Sequence, residues 1–492
     1  MKNILKAEIK WNDPLETYEQ IAGDNVSFLL ESSMLIPEYS RYSLLGCNPF
    51  LILQSKDNNI EINKFTDFDC APDFPNNKFQ DDPWNVLNKL LKYFYLEDIS
   101  DELPFGAGAV GYLSYELGRF IENIPVIATD NPDIPDMYLG FYDSMIIWDH
   151  HLERSYITSS GLPFREMKEA EKYAQIKIEQ WKRKLENIYI KNSSDKAVKF
   201  DNRKSQDSIK QDFTQDKYCD AVNIIRDKIY NGDVYVLNLT QRLTIDEPDD
   251  SLEVYKRVRQ NNPAPMSAYL NCHNTKVVCA SPERFLKVKN NKIETRPIKG
   301  TRPRGRTPEE DEIYKNELLN SKKERAELLM ISDLERNDLG KVCVPGSVKA
   351  TKLCAHEEYA TVHHTISVIE GITEKQYNLV NILKATFPGG SITGAPKISA
   401  MKIIEELEPV RRGIYCGSIG YLAFNGDADL NIVIRSLVFS NNKAYLNVGG
   451  GITYDSDPLE EYLETYDKAA ALLRALGISE IEGSYKLKQK ND

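Results

Sequence analysis

Four glutamates fall into two pairs whose spacing could place carboxylates side by side. Glu324 and Glu327 are three residues apart, as are Glu461 and Glu464, and residues at this spacing share one face of a helix. If the two acidic faces met across a cleft, their oxygens would form a site for a hard cation such as Mg²⁺. Such an ion could hold an anionic substrate.

Ordinary helix capping is the alternative explanation for much of this pattern. Glu324 lies three residues after a serine, as in a capping box whose carboxylate bonds the backbone of that serine. Asp457 and Pro458 begin the second helix, where early acids favour the helix dipole and Glu464 could pair with a lysine four residues on. Capping does not explain Glu327. For the second helix, spacing alone favours capping and the lysine pair over a metal site.

Two further segments could contact an anionic ligand. Lys299 lies between Ile298 and a Gly-Thr turn, within a basic run at 294–306. A strand end there could direct the lysine amine into a cleft as a covalent nucleophile, although most such runs are solvated loops. The glycines at 449–451 would allow the backbone to approach a ligand closely. The alternative for this segment is a flexible hairpin end.

The composition indicates a globular protein and argues against two classes of partner. The 492 residues are 41% hydrophobic and 28% charged, with a net charge of −12. This balance disfavours nucleic acid and anionic membranes, and no apolar run approaches the roughly 18 residues of a membrane span. Without a signal peptide, a C-x-x-C pair or an H-E-x-x-H motif, we expect a cytoplasmic protein that lacks a disulfide framework and a zinc site.

Residues 1–190 and 215–478 are predicted as two regions that pack into one globule. The N-terminal region has short strand patterns, such as 25–31, and a helix that begins at Asp82-Pro83. A polar stretch at about 185–217 is predicted to be a linker or a surface excursion between the two regions. The acidic pairs, the basic run and the three glycines all lie in the C-terminal region, which therefore holds the candidate chemistry.

These segments, in this order, resemble the chorismate-utilising enzymes. This family includes anthranilate synthase component I, aminodeoxychorismate synthase component I, and the isochorismate and salicylate synthases. The resemblance covers nearly the whole chain, and its matching segments are 29–32, 41–46, 280–285, 296–305, 329–340, 363–364, 387–397, 411–421, 434–435, 449–451 and 461–468. Many separate matches in one order make a chance resemblance negligible.

The resemblance implies an α+β fold in which two large antiparallel sheets pack as a sandwich with helices outside, and a cleft for chorismate and Mg²⁺. It implies that Glu327 and Glu464 hold the metal, with Glu324 and Glu461 acting directly or through water. Glu283 is the implied general acid for the departing C4 hydroxyl. The positions implied to surround the substrate are Gly300, Thr301, His364, Ser391, Tyr415, Arg435, Gly449, Gly451 and Lys468.

The same resemblance implies a possible tryptophan pocket, formed by a segment of the N-terminal region and a segment of the C-terminal region. Its candidate lining residues are Leu30, Ser32, Pro263 and Met266. The sequence leaves open whether tryptophan binds there as a regulator, as a fixed structural ligand, or not at all.

Two positions bear on which reaction the chain catalyses. The lysine that activates water in isochorismate and salicylate synthases is replaced here by Val236, which cannot act as a base; related amine-transferring enzymes usually carry Gln. Lys299 lies in Pro-Ile-Lys-Gly-Thr, the pattern of aminodeoxychorismate synthases, where anthranilate synthases read Pro-Ile-Ala-Gly-Thr. The resemblance therefore implies that Lys299 attacks C2 of chorismate and that ammonia adds at C4. The product would be 4-amino-4-deoxychorismate, on the way to 4-aminobenzoate and folate.

The expected partner is a separate glutamine amidotransferase, because the chain has no G-x-C-x-G elbow to release ammonia from glutamine. The alternative enzyme is anthranilate synthase component I, which serves tryptophan synthesis. The non-enzyme alternative is a tryptophan-binding regulatory protein with the same fold. The presence of Glu283, Lys299, His364 and all four metal-face glutamates argues against that role.

Overall fold

The computed structural model describes residues 4–36, 39–66, 71, 73–97, 103–189, 209–358 and 362–478. The strands, in chain order, are β1 (Leu5–Ile9), β2 (Ser27–Glu31), β3 (Tyr42–Cys47), β4 (Leu51–Lys56), β5 (Asn59–Lys64), β6 (Lys78–Gln80), β7 (Gly108–Leu113), β8 (Met137–Tyr142), β9 (Ser144–Asp149), β10 (Arg154–Ser159), β11 (Ile209–Gln211), β12 (Val236–Asp246), β13 (Met266–Cys272), β14 (Thr275–Ser281), β15 (Arg284–Lys289), β16 (Lys292–Arg296), β17 (Ile298–Pro303), β18 (Lys349–Glu358), β19 (Val362–Ile372), β20 (Gly394–Ala395), β21 (Ser418–Ala423), β22 (Ala428–Asn431), β23 (Ser436–Ser440) and β24 (Lys443–Ile452).

The helices surround these strands. They are α1 (Pro14–Ile21), α2 (Pro83–Tyr93), α3 (Met167–Tyr189), α4 (Gln215–Tyr230), α5 (Ser251–Asn261), α6 (Pro308–Asn320), α7 (Lys322–Gly340), α8 (Leu379–Thr386), α9 (Lys397–Leu407) and α10 (Pro458–Ala475). A short 3₁₀ turn at Gly390–Ile392 precedes β20. As predicted, α2 begins with Asp82 as its N-cap and Pro83 in its first turn. No helix in the described ranges is long and apolar enough to cross a membrane.

The strands form two sheets of 12 strands each, and each pairing between named strands is antiparallel. The first sheet runs β1-β10-β9-β3-β2-β13-β14-β23-β24-β12-β11, with β20 also on β12; the second runs β17-β19-β16-β15-β22-β21-β7-β8-β4-β5-β6, with β18 on β19. Strands from 1–190 and from 215–478 therefore occur in both sheets. The predicted α+β fold of two large antiparallel sheets is confirmed.

Successive side chains of a strand point to opposite faces of its sheet. The core is therefore divided into an inner layer between the two sheets and an outer layer on the far face of each sheet. In β2, Phe28 packs in the inner layer, with residues of both sheets, whereas Leu29 packs beneath the outer helices. In β8, Tyr138 is in the inner layer and Leu139 in the outer layer of the second sheet. The two sheets thus bury one apolar face against each other and the second face against helices.

The predicted linker at 185–217 is wrong at both ends. Helix α3 continues to Tyr189, with Trp181 and Leu185 buried against the first sheet. Residues 190–208 lie outside the described part of the chain, and β11 then pairs with β12 before α4 begins. The polar runs at 192–195 and 206–208, on which the prediction rested, lie outside the described residues.

Candidate active site

Lys299 lies near the start of β17, at the edge of the second sheet, where a bulge redirects the strand. Lys299 pairs with Thr365 of β19, but Thr301 pairs with His364, so Gly300 is an extra residue. Gly300 has a φ of +81°, a left-handed conformation that favours glycine. Adjacent residues of a strand face opposite sides, so the bulge sends Lys299 and Thr301 to different faces of the sheet edge.

The amine of Lys299 makes no hydrogen bond or ion pair with any described residue. Its Nζ lies 4.0 Å from where a Cβ on Gly451 would stand, and Val236 Cγ2 lies 3.7 Å from the same point. Lys299, Val236 and Gly451 line one narrow cavity with Glu327 and Ser391. The Lys299 amine, which belongs to the second sheet, therefore lies among residues of the first sheet, of α7 and of the 3₁₀ turn.

Glu283 is completely buried next to this amine. Burial raises the pKa of Glu283 to about 7, and the Ser391 hydroxyl and the Lys299 charge partly oppose the rise. Glu283 Oε1 and Ser391 Oγ are both buried without a hydrogen bond to described residues, so Ser391 is close to the carboxyl without being bonded to it. A carboxyl with this pKa can hold a proton near neutral pH and give it to a substrate oxygen.

The two acidic helices approach each other, which the spacing alone did not predict. Lys323 of α7 lies 3.7 Å from Glu461 of α10. Each of three glutamates pairs with a cation of the chain: Glu324 with Arg302 at 3.0 Å, Glu461 with Lys323, and Glu464 with Lys468 at 2.8 Å. Glu327 forms no hydrogen bond or ion pair within the described ranges.

For the first helix, one of the two hydrogen bonds of the predicted capping box is present. Ser321 accepts a hydrogen bond from the backbone of Glu324, but the Glu324 carboxylate turns to Arg302 instead of returning to Ser321. For the second helix, Asp457 caps the first turn and Glu464 pairs with Lys468, as capping predicts. Both helices are therefore capped while their glutamates still face each other.

The charges of these glutamates affect one another's pKa values. Burial, together with the charges of Glu324 and Glu464, raises the pKa of Glu327, against Lys299 and Lys323. The pKa of Glu464 falls below its usual value, because Lys468 and the other lysines outweigh the effect of burial. Among the described residues, however, no three carboxylate, His or Cys side chains converge closely enough to coordinate one ion as they stand.

The glycines at 449–451 are not a hairpin end, as one interpretation of the sequence proposed. They lie inside β24, in register with 238–240 of β12. A Cβ on Gly450 would stand 3.1 Å from Glu461 Oε2 and 3.5 Å from Lys468 Nζ, and Lys468 Nζ donates to the Gly449 carbonyl at 2.8 Å. The glycines thus bring the backbone of β24 directly against the acidic helix.

Thr301 and His364 lie on the other side of the β17 edge from Lys299. His364 Nδ1 and Thr301 Oγ1 are 2.9 Å apart. Burial and the charge of Arg435 lower the pKa of His364 to about 4, so its imidazole is neutral near pH 7. Arg435 itself has a left-handed φ of 50° and makes no side-chain hydrogen bond or ion pair within the described residues. Tyr415 is buried, and burial raises its pKa so that it keeps its hydroxyl proton.

A family model for chorismate binding enzymes matches residues 48–474. The chain belongs to this family. The resemblance drawn from the sequence is therefore confirmed, and the protein is a chorismate-utilising enzyme with its Lys299 cavity between the two sheets and α7.

Relatives in the family carry two different names. The chain is 36% identical over 470 residues to aminodeoxychorismate synthase component 1 of Bacillus subtilis (strain 168), covering 95% of each. It is 33% identical over 463 residues to anthranilate synthase component 1 of Acetivibrio thermocellus, covering 94% of this chain and 92% of the relative. The crystal structure of anthranilate synthase component I from Streptococcus pneumoniae TIGR4 gives a TM-score of 0.75 at 32% identity, covering 89% of this chain and 93% of that one.

The larger cavity of this chorismate-binding enzyme lies away from Lys299. Its volume is about 800 Å³, and Leu30, Ser32 and Met266 are among the residues that line it. Pro263 is not among the residues that line this cavity, whereas Pro265 is. That tryptophan occupies this cavity stays a prediction.

Several residues that shape the active site escaped the sequence analysis. Asn238 and Thr393 line the Lys299 cavity, and Glu335 is a buried carboxyl close enough to Glu283 for their charges to interact. Arg412 bonds the backbone on either side of the cavity. Both Glu335 and Arg412 lie in segments that match the family, but nothing in their spacing distinguishes them from structural residues.

We expect Glu283→Gln to abolish chorismate turnover while stabilising the fold. The folded-state pKa of Glu283 is raised from 4.5 to about 7, so the folded protein keeps a proton that the unfolded chain loses, and stability falls as pH rises through this window. Removing the titration should raise the free energy of unfolding at pH 8 by up to about 3 kcal/mol, measured by denaturant unfolding. In the wild type, kcat/KM for chorismate at constant free ammonia should fall above about pH 7.

Glu405→Gln is the matched control for this variant. Glu405 is also a buried glutamate, but it accepts hydrogen bonds from Arg119 and from the backbone of Ile127 and Ala128. Its neutral replacement should destabilise the fold because it weakens these charge-assisted bonds. Equal destabilisation by both variants would show that Glu283 is not protonated in the folded enzyme.

Proposed function

We propose that this enzyme converts chorismate and ammonia to 4-amino-4-deoxychorismate. The observation that carries the proposal is the Lys299 amine, which has no hydrogen bond or ion pair among the described residues and lies beside the buried carboxyl of Glu283. A displacement of the C4 hydroxyl requires a nucleophile and a proton donor near each other, and the charge of Lys299 acts on the Glu283 carboxyl. The product would feed the synthesis of 4-aminobenzoate for folate.

The proposed reaction has two displacements. Lys299 Nζ forms a bond to C2, the ring double bonds shift toward C4, and the C4–O bond breaks as Glu283 gives its proton to the departing hydroxyl, which leaves as water. Ammonia then bonds to C4, the double bonds shift back, and the C2–Nζ bond breaks. The surplus ammonia proton returns to the Glu283 carboxylate, so lysine and acid are both regenerated.

Substrate orientation is assigned to the polar groups around the β17 edge. Arg435 has a planar fork suited to a carboxylate, and its guanidinium has no ion pair within the described chain. Neutral His364, held by Thr301, can exchange hydrogen bonds with the substrate without adding charge. Further contacts are assigned to Gly300, Ser391, Tyr415, Gly449, Gly451 and Lys468.

Mg²⁺ is the proposed cofactor, held by Glu327 and Glu464 with Glu324 and Glu461 acting directly or through water. The oxygen-only donor set fits a hard cation, and the mutual charge effects of Glu327, Glu324 and Glu464 make a bound cation favourable. When bound, Mg²⁺ would supply positive charge that holds a substrate carboxylate. Binding requires Arg302, Lys323 and Lys468 to release the glutamates they now pair with.

A glutamine amidotransferase subunit is the proposed source of ammonia. The curated relatives are named component 1, which is consistent with a second component. The chain itself offers no G-x-C-x-G elbow for glutamine hydrolysis. The amine-transfer step would then take place on this chain and the amide hydrolysis on its partner.

The decisive experiment replaces Lys299. Lys299→Ala should abolish formation of 4-amino-4-deoxychorismate and open C2 to slow attack by ammonia, giving traces of the 2-amino isomer or anthranilate. Lys299→Arg should also fail, because a guanidinium keeps the charge without a nucleophilic lone pair. The products are separated by chromatography after incubation with chorismate, Mg²⁺ and ammonium.

The same assay on the wild type distinguishes the alternatives. Anthranilate as the main wild-type product would establish the anthranilate synthase alternative, which the relative of Acetivibrio thermocellus keeps open. No chorismate consumption under any condition would favour the tryptophan-binding regulatory role. A near wild-type yield of the 4-amino product from Lys299→Arg would reduce Lys299 to an electrostatic role.

Glu327→Gln should weaken Mg²⁺ binding, because the variant lacks the one glutamate of the group that has no cation partner in the described residues. We expect at least about a tenfold loss of affinity, by analogy with the effect of losing groups that support metal ligands, measured by titration calorimetry. Asp333→Asn, which removes an exposed acid on the same helix, is the control and should bind as the wild type does. Equal affinities in both variants would exclude Glu327 from the site.

The isolated chain should use ammonium salts at mildly alkaline pH but not glutamine. Addition of a glutamine amidotransferase subunit from a related synthase should enable glutamine to support turnover. Chorismate consumption and glutamate release are both measured, since they report on the two half-reactions separately. Glutamate release by the isolated chain would show that its domain content has been misjudged.

A further inference from the structure

Arg412 is a buried guanidinium just before Tyr415, and its carboxylate partner fixes its orientation. Its side chain is 1% exposed and that of Glu408 is 4% exposed. Nε donates to Glu408 Oε2 at 2.9 Å and Nη2 donates to Glu408 Oε1 at 2.7 Å. This bidentate pair defines the plane of the guanidinium.

The remaining donors of Arg412 bond the walls of the Lys299 cavity. Nη1 donates to the carbonyl of Ile392 at 2.7 Å, and Nη2 donates to the carbonyl of Asn238 at 2.6 Å. Ile392 ends the 3₁₀ turn that carries Ser391, and Asn238 lies on β12. Ser391 and Asn238 both line the cavity. One side chain therefore connects two walls that belong to distant parts of the sequence.

Glu408 extends the same connection. Its Oε1 accepts a hydrogen bond from the backbone of Thr240 at 2.9 Å, two residues along β12 from Asn238. Backbone hydrogen bonds also join the two walls: the Asn238 N–H donates to the Thr393 carbonyl at 2.8 Å and the Tyr235 N–H donates to the Ala395 carbonyl at 2.7 Å, where β20 pairs with β12. The Arg412–Glu408 pair adds three hydrogen bonds, to the carbonyls of Ile392 and Asn238 and to the N–H of Thr240, at the end of the turn that precedes β20.

We propose that Arg412 is a positioning residue that acts through Ser391, holding the 3₁₀ turn against β12 so that the Ser391 hydroxyl faces Glu283. Arg412 touches neither substrate nor metal in this arrangement. The inference rests on the proposed role of Glu283 as general acid, and it adds a residue that sets how well that acid works.

The groups around Glu283 make the proposal measurable. Lys299 approaches Glu283 from β17, Ser391 from the turn, Glu335 from α7, and Cys416 from the segment after Arg412. Ser391 and Lys299 lower the pKa of Glu283 against the larger effect of burial. If the turn moves away, Glu283 loses the contribution of Ser391 and its pKa should rise.

Lysine is the informative replacement for Arg412. A lysine keeps the positive charge beside Glu408 but has no planar fork that could bond two carbonyls and a carboxylate at once. Arg119 provides a matched control, because it is also largely buried, pairs with Glu116 at 2.8 Å and with Glu405, and bonds a backbone carbonyl. None of these partners lines the Lys299 cavity.

The experiment measures chorismate consumption with ammonium and Mg²⁺ for the wild type, Arg412→Lys, Arg119→Lys, Ser391→Ala and the Arg412→Lys/Ser391→Ala double variant. Arg412→Lys should reduce kcat about tenfold or more, as a small misplacement of catalytic groups does, and should shift the alkaline limb of kcat/KM to higher pH. Arg119→Lys should leave both within about twofold. The double variant should show the pH shift of Ser391→Ala alone, since both changes act through one contact.

Two results would overturn the inference: equal kcat and pH profiles for Arg412→Lys and Arg119→Lys, or additive shifts in the double variant. If Arg412→Lys does not fold, Glu408→Gln loosens the same fork and must shift the alkaline limb in the same direction. The assay follows chorismate consumption, so it is independent of which amino product forms. A wild type that makes anthranilate would therefore refute the proposed function while leaving this test intact.

Discussion

Burial of the Glu283 carboxyl beside the Lys299 amine is the constraint on which the rest of the site depends. A carboxyl taken out of water favours its neutral form, and here the pKa rises to about 7. That effect exists only while water is excluded, so the surrounding polar groups must find their partners within the protein. The Arg412–Glu408 pair meets this requirement, because it satisfies backbone carbonyls that would otherwise lie unpaired beside the cavity.

The sandwich makes such a dry site possible at its edge. β17 belongs to the second sheet, whereas β12 and β24 belong to the first, and α7 and α10 approach from outside. Glycines allow these elements to come close: Gly300 forms a bulge with a left-handed φ, and Gly450 leaves the backbone of β24 against the carboxylate of Glu461. The cavity is therefore bounded by rigid strands and helices, which fix side-chain positions better than loops can.

Charge on the metal face is balanced within the chain. Arg302, Lys323 and Lys468 each hold one glutamate, and only Glu327 lacks such a pair among the described residues. The Glu464–Lys468 pair is about half exposed, and an ion pair of this kind contributes little to stability. A cation bound as proposed would replace these lysines and the arginine as the partners of the glutamates.

The sequence by itself determined the family, the two-sheet α+β fold, the capped helices and the pairing of Glu464 with Lys468, because these depend on local spacing and on segments that match in order. Only the tertiary structure decided that the acidic helices meet, that Gly300 is a bulge and that 449–451 is an inner strand. The carboxyl of Glu283 likewise becomes a neutral acid through burial, and Arg412 reaches two cavity walls through contacts between distant segments. Burial and long-range contacts are properties of the packed chain, and residue spacing does not encode them.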